Sequence, residues 1–126
     1  MTRLYFDVET YRKNKHDAFI NEKVIAIGVL EDWTPHSAES LSIISEPEVR
    51  FKVFSEWSLR SEEVVIRSFY EYLNNLIAES KFLVVIGFNI LCFDIPLLIQ
   101  KGVEYSVGSL PELSKLLHNT FTIDLF

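Results

Sequence analysis

The apolar residues of this chain change their period once, near Ser61, and that change restricts the fold more than any other feature. Before it they come in short extended runs. Leu4 to Val8 places Leu4, Phe6 and Val8 on one face and Tyr5 and Asp7 on the other, as a strand does. Val24 to Leu30 is a continuous run rich in β-branched residues, expected for a strand covered on both faces. Val49 to Phe54 alternates Val49, Phe51 and Val53 with Arg50 and Lys52, which predicts a half-exposed strand. The polar stretch from Thr10 to Lys23 reads as a loop, and Leu41 to Ile44 as a short extra strand. From Glu62 to Glu79 the spacing of Val65, Phe69, Tyr72, Leu73, Leu76 and Ile77 becomes helical, with Ser61 as N-cap and Glu62 and Glu63 in the first turn. Phe82 to Phe88 then predicts a buried strand. Asp94 to Lys101 predicts a helix with Pro96 in its first turn and Gly102 as its stop. Leu110 to His118 predicts another, with Ser109 and Glu112 in capping-box register, and Phe121 to Leu125 a last strand. The order β-β-β-α-β-α-α-β describes an α/β fold. Its mixed sheet has three antiparallel strands, then parallel ones, flanked by helices.

Composition removes several classes. The 126 residues suit a single domain spanning 1–126. A chain that is 48% hydrophobic and 24% charged is globular rather than disordered. The longest apolar run, Phe82 to Phe88, is too short to cross a bilayer, so no membrane partner is expected. Arg3, Asp7 and Glu9 interrupt the N-terminus where a secretory signal would need apolar residues, and Cys92 is the one cysteine. Those features point to an intracellular, cytoplasmic location. His16, His36 and His118 are scattered, without zinc-ligand spacing. With 12 basic and 18 acidic residues the net charge is −6, which argues against non-specific attraction to nucleic acid. It does not argue against nucleic acid handled through metal ions.

Two segments carry chemistry. Asp7 and Glu9 are two apart on the first strand, so both carboxylates project from one face. Like charges there raise each other's pKa, and a hard divalent cation such as magnesium or manganese relieves the repulsion. The bland alternative, at even odds from this pair, is a solvated Glu9 beyond the strand end and an Asp7 that caps a loop. The second segment runs Gly87-Phe88-Asn89-Ile90-Leu91-Cys92-Phe93-Asp94-Ile95-Pro96-Leu97-Leu98. A buried strand ends there and a helix begins, the place where open α/β sheets bind ligands. Taken by itself, Asp94 is more often only a helix N-cap.

In combination the segments resemble the first two motifs of the DEDD superfamily of 3′–5′ exonucleases. Asp7-Val8-Glu9-Thr10 is similar to motif I, and Asn89-x-x-x-Phe93-Asp94-x-Pro96-x-Leu98 to motif II. The second is closest to the form in the proofreading domains of family-B DNA polymerases. Val24 to Val29 resembles that family's second strand and Ile123-Asp124-Leu125 its Ile-Asp-Leu strand. The resemblance implies a ribonuclease-H-like fold. It implies Asp7, Glu9 and Asp94 as catalytic metal ligands for two Mg2+ or Mn2+ ions, and Thr10, Asn89 and Phe93 as substrate-binding residues. It implies phosphodiester hydrolysis at single-stranded DNA ends by two metal ions, while the residues themselves leave RNA open as the alternative substrate. The family's third motif, a fourth acid with a Tyr or His base on a C-terminal helix, has no counterpart before Phe126. A chain truncated at its C-terminus is therefore expected, with Phe121, Ile123, Leu125 and Phe126 partly exposed and forming a contact for a second copy or a partner chain. The alternative function is a catalytically inactive ribonuclease-H-like module that binds nucleic acid or a replication or repair partner.

Other residues are less specific. Arg12, Lys13 and Lys15 suit phosphate contacts, or more simply a solvated basic loop. Phe69, Tyr70 and Tyr72 suit a core rather than a stacking platform. Trp33 or Trp57 could stack on a base, and nothing in the sequence selects one. Cys92 reads as a small buried thiol.

Overall fold

The computed structural model describes residues 2–16, 19–34 and 48–126. The first strand, β1 (Thr2–Arg12), pairs antiparallel with β2 (Glu22–Asp32), which pairs antiparallel with β3 (Val49–Ser55). A short helix α1 (Glu56–Leu59) and a long helix α2 (Glu62–Glu79) lead to β4 (Leu83–Gly87), which lies parallel to β1. A π turn (Ile90–Asp94), α3 (Ile95–Glu104) and α4 (Leu110–His118) lead to β5 (Phe121–Asp124), parallel to β4. The strand order is β3-β2-β1-β4-β5, with β1 central. This mixed sheet flanked by helices has the ribonuclease-H-like arrangement expected from the order of elements. The proposed strand Leu41–Ile44 lies outside the described residues.

The hydrophobic effect selects which sheet face the helices cover. Leu4, Phe6 and Val8 of β1, Ile27 and Val29 of β2 and Leu83 and Val85 of β4 form one core with Val65, Phe69 and Leu73 of α2 and Leu97 and Leu98 of α3. The Tyr70 hydroxyl donates to the Leu98 carbonyl at 2.5 Å, tying α2 to α3. Burial at about 25 cal/mol per Å2 of apolar surface makes this cluster the main source of stability. Both caps form as expected. The Ser61 side chain accepts from the Val64 amide, and the Ser109 side chain from the Glu112 amide.

Several local expectations change. Thr10 to Lys23 is not one loop, because β1 continues to Arg12 and β2 begins at Glu22. Arg12 makes a forked ion pair with Glu22, Nη2 to Oε1 at 2.6 Å and to Oε2 at 2.9 Å, which joins the two strand ends. That guanidinium is committed to structure, while Lys13 and Lys15 are exposed. β2 is fully covered only on the helix side, where Ile27 and Val29 lie, while Gly28 and Leu30 are half-buried on the other. β3 is half-exposed with its apolar side outward. Val49, Phe51 and Val53 face away from the helices. Phe54 enters the core against Phe69 and Tyr72, and the Lys52 ammonium lies 4.9 Å from its ring centre. Gly102 does not stop α3. It is buried within the helix, and a Cβ there would lie 2.5 Å from Leu113 Cδ1, so it serves close packing against α4. Cys92 is exposed, because the π turn carries it outward. Phe121, Ile123, Leu125 and Phe126 are exposed as expected, Phe126 most of all at 85%. No helix among the described residues is long and apolar enough to cross a membrane.

Candidate active site

Strand alternation decides the first part of the site. With Leu4, Phe6 and Val8 turned into the core, Arg3, Tyr5, Asp7 and Glu9 must face the opposite side. Asp7 stands opposite Gly28 and Glu9 opposite Ala26 in the β1–β2 ladder, and a bulge follows between Glu9 and Thr10. Both acids are exposed. They are also close enough to interact. Hydrogen bonding to Asp7, then its charge, holds the Glu9 carboxyl above the usual range. The acids share a face, and Glu9 lies within the strand, not beyond its end, while remaining exposed to solvent.

Asp94 arrives from the other direction and is buried. It precedes α3 but makes no side-chain cap hydrogen bond. Its Oδ2 instead accepts from the Val8 amide of β1 at 3.1 Å. The β1–β4 ladder ends at Tyr5 opposite Ile86, so the Val8 amide has no β4 partner, and the carboxylate supplies one. Burial raises the Asp94 carboxyl from 3.8 to about 6. The Val8 amide opposes that rise, and the charges of Asp7 and Asp124 add to it. The N-cap reading of Asp94 is thereby replaced. A helix-opening acid has become a buried carboxylate held behind the Asp7–Glu9 strand.

The turn that delivers Asp94 is itself clamped. Asn89 adopts the left-handed conformation, φ 56° and ψ 28°, which Asn tolerates better than most residues. The Asp124 carboxylate at the end of β5 accepts from the amides of Asn89 at 2.8 Å, Leu91 at 3.0 Å and Phe126 at 3.0 Å. Those bonds, the Phe126 amide foremost, keep its carboxyl below the usual range. The resemblance makes the Asp124 position structural more often than catalytic; what sequence reasoning missed is its partners, the amides of the turn that delivers Asp94. The signal was an aspartate ending a strand that follows the Asn89 turn in the chain.

Above Asp7 and Glu9 the open sheet face forms a groove of about 460 Å3. Its walls include Tyr5, Phe51, Val53 and Trp57, with Gly28 in its floor. Thr10, Asn89, Phe93 and Asp94 do not line it. Thr10 is half-buried at the bulge. Phe93 packs on Phe19 with ring centres 5.4 Å apart. The structure thus brings Asp7 and Glu9 together at one groove and sets Asp94 behind them within electrostatic reach of Asp7. In kind, this donor set fits a divalent cation: hard oxygen ligands whose charges oppose one another without one. Among the described residues no three His, Cys, Asp or Glu side chains are gathered closely enough to hold a metal ion.

Comparison with solved structures shows the same fold. The family B DNA polymerase from the hyperthermophilic archaeon Pyrobaculum calidifontis matches with a TM-score of 0.58 and 21% identity, over 86% of this chain and 12% of that one. An apo Exonuclease I matches with a TM-score of 0.59 and 13% identity, over 98% of this chain and 29% of that one. E. coli Exonuclease I in complex with a 5cy-dT13 oligonucleotide matches with a TM-score of 0.57 and 13% identity, over 98% of this chain and 28% of that one. The chain therefore spans less than a third of the length of these proteins. No curated protein sequence matches it. The family model for "DNA polymerase family B, exonuclease domain" matches residues 1–124. A match over nearly the whole chain, on the fold just described, means that the chain belongs to the family of exonuclease domains of family-B DNA polymerases.

Proposed function

We propose that residues 1–126 form one exonuclease-like domain, the metal-binding part of a 3′–5′ exonuclease that removes nucleotides from single-stranded DNA ends. The observation that carries this reading is the placement of Asp94. A residue with a simple capping role available is buried instead, held on the Val8 amide next to the Asp7–Glu9 strand and sensitive to the Asp7 charge. Asp7 and Glu9 would hold a Mg2+ or Mn2+ ion from the groove side and Asp94 from the turn side. Bound there, such ions polarise a phosphodiester and lower the pKa of an attacking water. The chain's own contribution is placement. The β1–β2 ladder aims Asp7 and Glu9, and the Val8 amide orients Asp94. Thr10, Asn89 and Phe93 stand beside these elements as substrate contacts in the same reading. Net negative charge is compatible with a nucleic-acid substrate because the cations offset both ligands and phosphate.

The test follows the shortening of a 5′-labelled single strand in manganese, with Asp7→Ala and Asp94→Ala beside the unaltered chain. Loss of a charge-stabilising group at such a centre slows turnover by about 100-fold or more. Equal, slow shortening by all three would sink the catalytic reading. A second reading has its own observation. No three acids gather tightly among the described residues, which favours a non-catalytic module that binds nucleic acid or a replication or repair partner. Retention of the strand in a gel shift, without shortening in either metal, would select it.

A further inference from the structure

The turn between β4 and α3 starts from one packed side chain. Ile90 is fully buried and fills a notch at Gly87, where a Cβ would lie 2.3 Å from Ile90 Cγ2 and 3.1 Å from the Phe6 carbonyl oxygen. On the outer side packing adds little, because Phe88, Leu91 and Cys92 are exposed. A segment held at one point can pivot about it. Asp124 supplies a second hold. It stands opposite Gly87 in the β4–β5 ladder, and its carboxylate takes the amides on either side of Ile90, Asn89 on Oδ1 and Leu91 on Oδ2.

The hold is passed along the turn. The Phe93 amide donates to the Asn89 carbonyl at 3.1 Å, so the residue before Asp94 is bonded to a residue that Asp124 fixes. Asp94 then accepts from the Val8 amide. In this part of the sheet the strands run β1-β4-β5, so the turn bridges the end of β4 from Asp124 on one side to Val8 on the other. Satisfying two turn amides would need only a neutral acceptor. A carboxylate here carries a cost, since its charge is among those that raise the Asp94 carboxyl. We propose that Asp124 is a positioning residue of the metal centre: by fixing Asn89 and Leu91 it sets where the turn ends, and with it the placement of the Asp94 carboxylate against β1. It acts through the turn and not as a ligand. The inference rests on the exonuclease reading for the metal, and it extends that centre to the end of β5. Removing a group that orients a metal ligand from behind weakens metal binding by about 10- to 100-fold.

The experiment compares the unaltered chain with Asp124→Ala, Asp124→Asn and Ser61→Ala by two readouts. One is the manganese dissociation constant from titration calorimetry. The other is the Val8 amide proton resonance in a chelator, which reports the placement of Asp94 without metal because the Asp94 carboxylate is its acceptor. Asp124→Ala should move the Val8 resonance upfield and weaken manganese binding by about 10- to 100-fold. Asp124→Asn keeps the oxygen that serves the Asn89 and Phe126 amides, so it should recover part of both effects, and it carries the comparison if the alanine variant does not fold. Ser61→Ala removes a cap from α2 and lowers stability away from the turn, so it should move neither readout. A Val8 resonance unchanged in both Asp124 variants would overturn the proposal, because the carboxylate would then serve the turn amides alone. Equal weakening of manganese binding by alanine and asparagine, with Val8 unmoved, would assign the effect to charge and overturn it as well. If the unaltered chain binds no manganese, the exonuclease reading fails and the Val8 resonance decides: displacement in Asp124→Ala supports the placement of Asp94 by Asp124, and no displacement overturns it.

Discussion

Replacing Asp94 by Asn removes a charge from a buried position and leaves a carbonyl oxygen for the Val8 amide to reach. The ionised side chain is the source of the strain. Its carboxyl moves from 3.8 to about 6, mainly through burial. At about 1.36 kcal/mol per pKa unit, ionised Asp94 destabilises the fold by about 3 kcal/mol. The sign follows from proton binding. Between about pH 4 and pH 6 the folded chain holds this proton more tightly than the unfolded chain, so raising the pH through that window lowers stability. Above pH 6 the penalty is constant. The Asn amide oxygen is a weaker acceptor than a carboxylate, which returns about 1 kcal/mol. Asp94→Asn should therefore stabilise the metal-free chain by about 2 kcal/mol at pH 7.5, or about 6–10 °C in Tm for a domain of this size. Urea unfolding in a chelator, repeated from pH 4 to pH 8, checks this. The unaltered chain should lose more stability across the window than the variant, which keeps only the smaller effect of the raised Glu9 carboxyl, and manganese should narrow the gap at pH 7.5. Parallel pH profiles, or a variant less stable at pH 7.5, would refute the reasoning.

Other perturbations test the frame around the site. Lys101→Met leaves Glu62 buried on only the Val24 amide and the Tyr105 hydroxyl, and should cost about 2–4 kcal/mol in chemical denaturation; an unchanged midpoint would mean that the ion pair contributes nothing. Gly102→Ala sets a methyl 2.5 Å from Leu113 Cδ1 and 3.0 Å from the Tyr70 ring, and overpacking of this kind should cost about 1–3 kcal/mol in thermal unfolding. Asp124→Ala removes the acceptor of the Asn89 and Leu91 amides, so their hydrogen exchange should accelerate selectively. Because the folded Asp124 carboxyl lies below its ordinary value, the stabilisation it gives is present above about pH 4 and lost as pH falls below it. Association through the exposed β5 region should appear as a concentration-dependent mass in light scattering, and a clean monomer at high concentration would count against it.

The element order was legible because its signals are local. Alternation set the faces of β1, helical spacing set α2, and Ser61 and Ser109 marked caps that form. The shared face of Asp7 and Glu9 follows from strand geometry without any tertiary contact. Two of the wrong readings turned on a partner outside the run of residues being read, and the third on an unusual local turn. Gly102 looked like a stop because its neighbours are Leu113 and Tyr70, not residues nearby in sequence. β1 looked shorter because Arg12 closes on Glu22. Cys92 looked buried because a π turn cannot be read from apolar spacing.

The site divides along the same line. Spacing alone placed two carboxylates on one face and a third at the mouth of a helix. Packing settled what the third one does, because only the end of the β1–β4 ladder leaves the Val8 amide open to Asp94. Packing also set Asp124 to clamp the turn, and it placed Trp57 at the groove while Trp33 bonds to Glu31 and packs on the core. Periodicity is a property of neighbouring residues, whereas burial, desolvation and the competition for a hydrogen-bond donor arise only when distant segments meet.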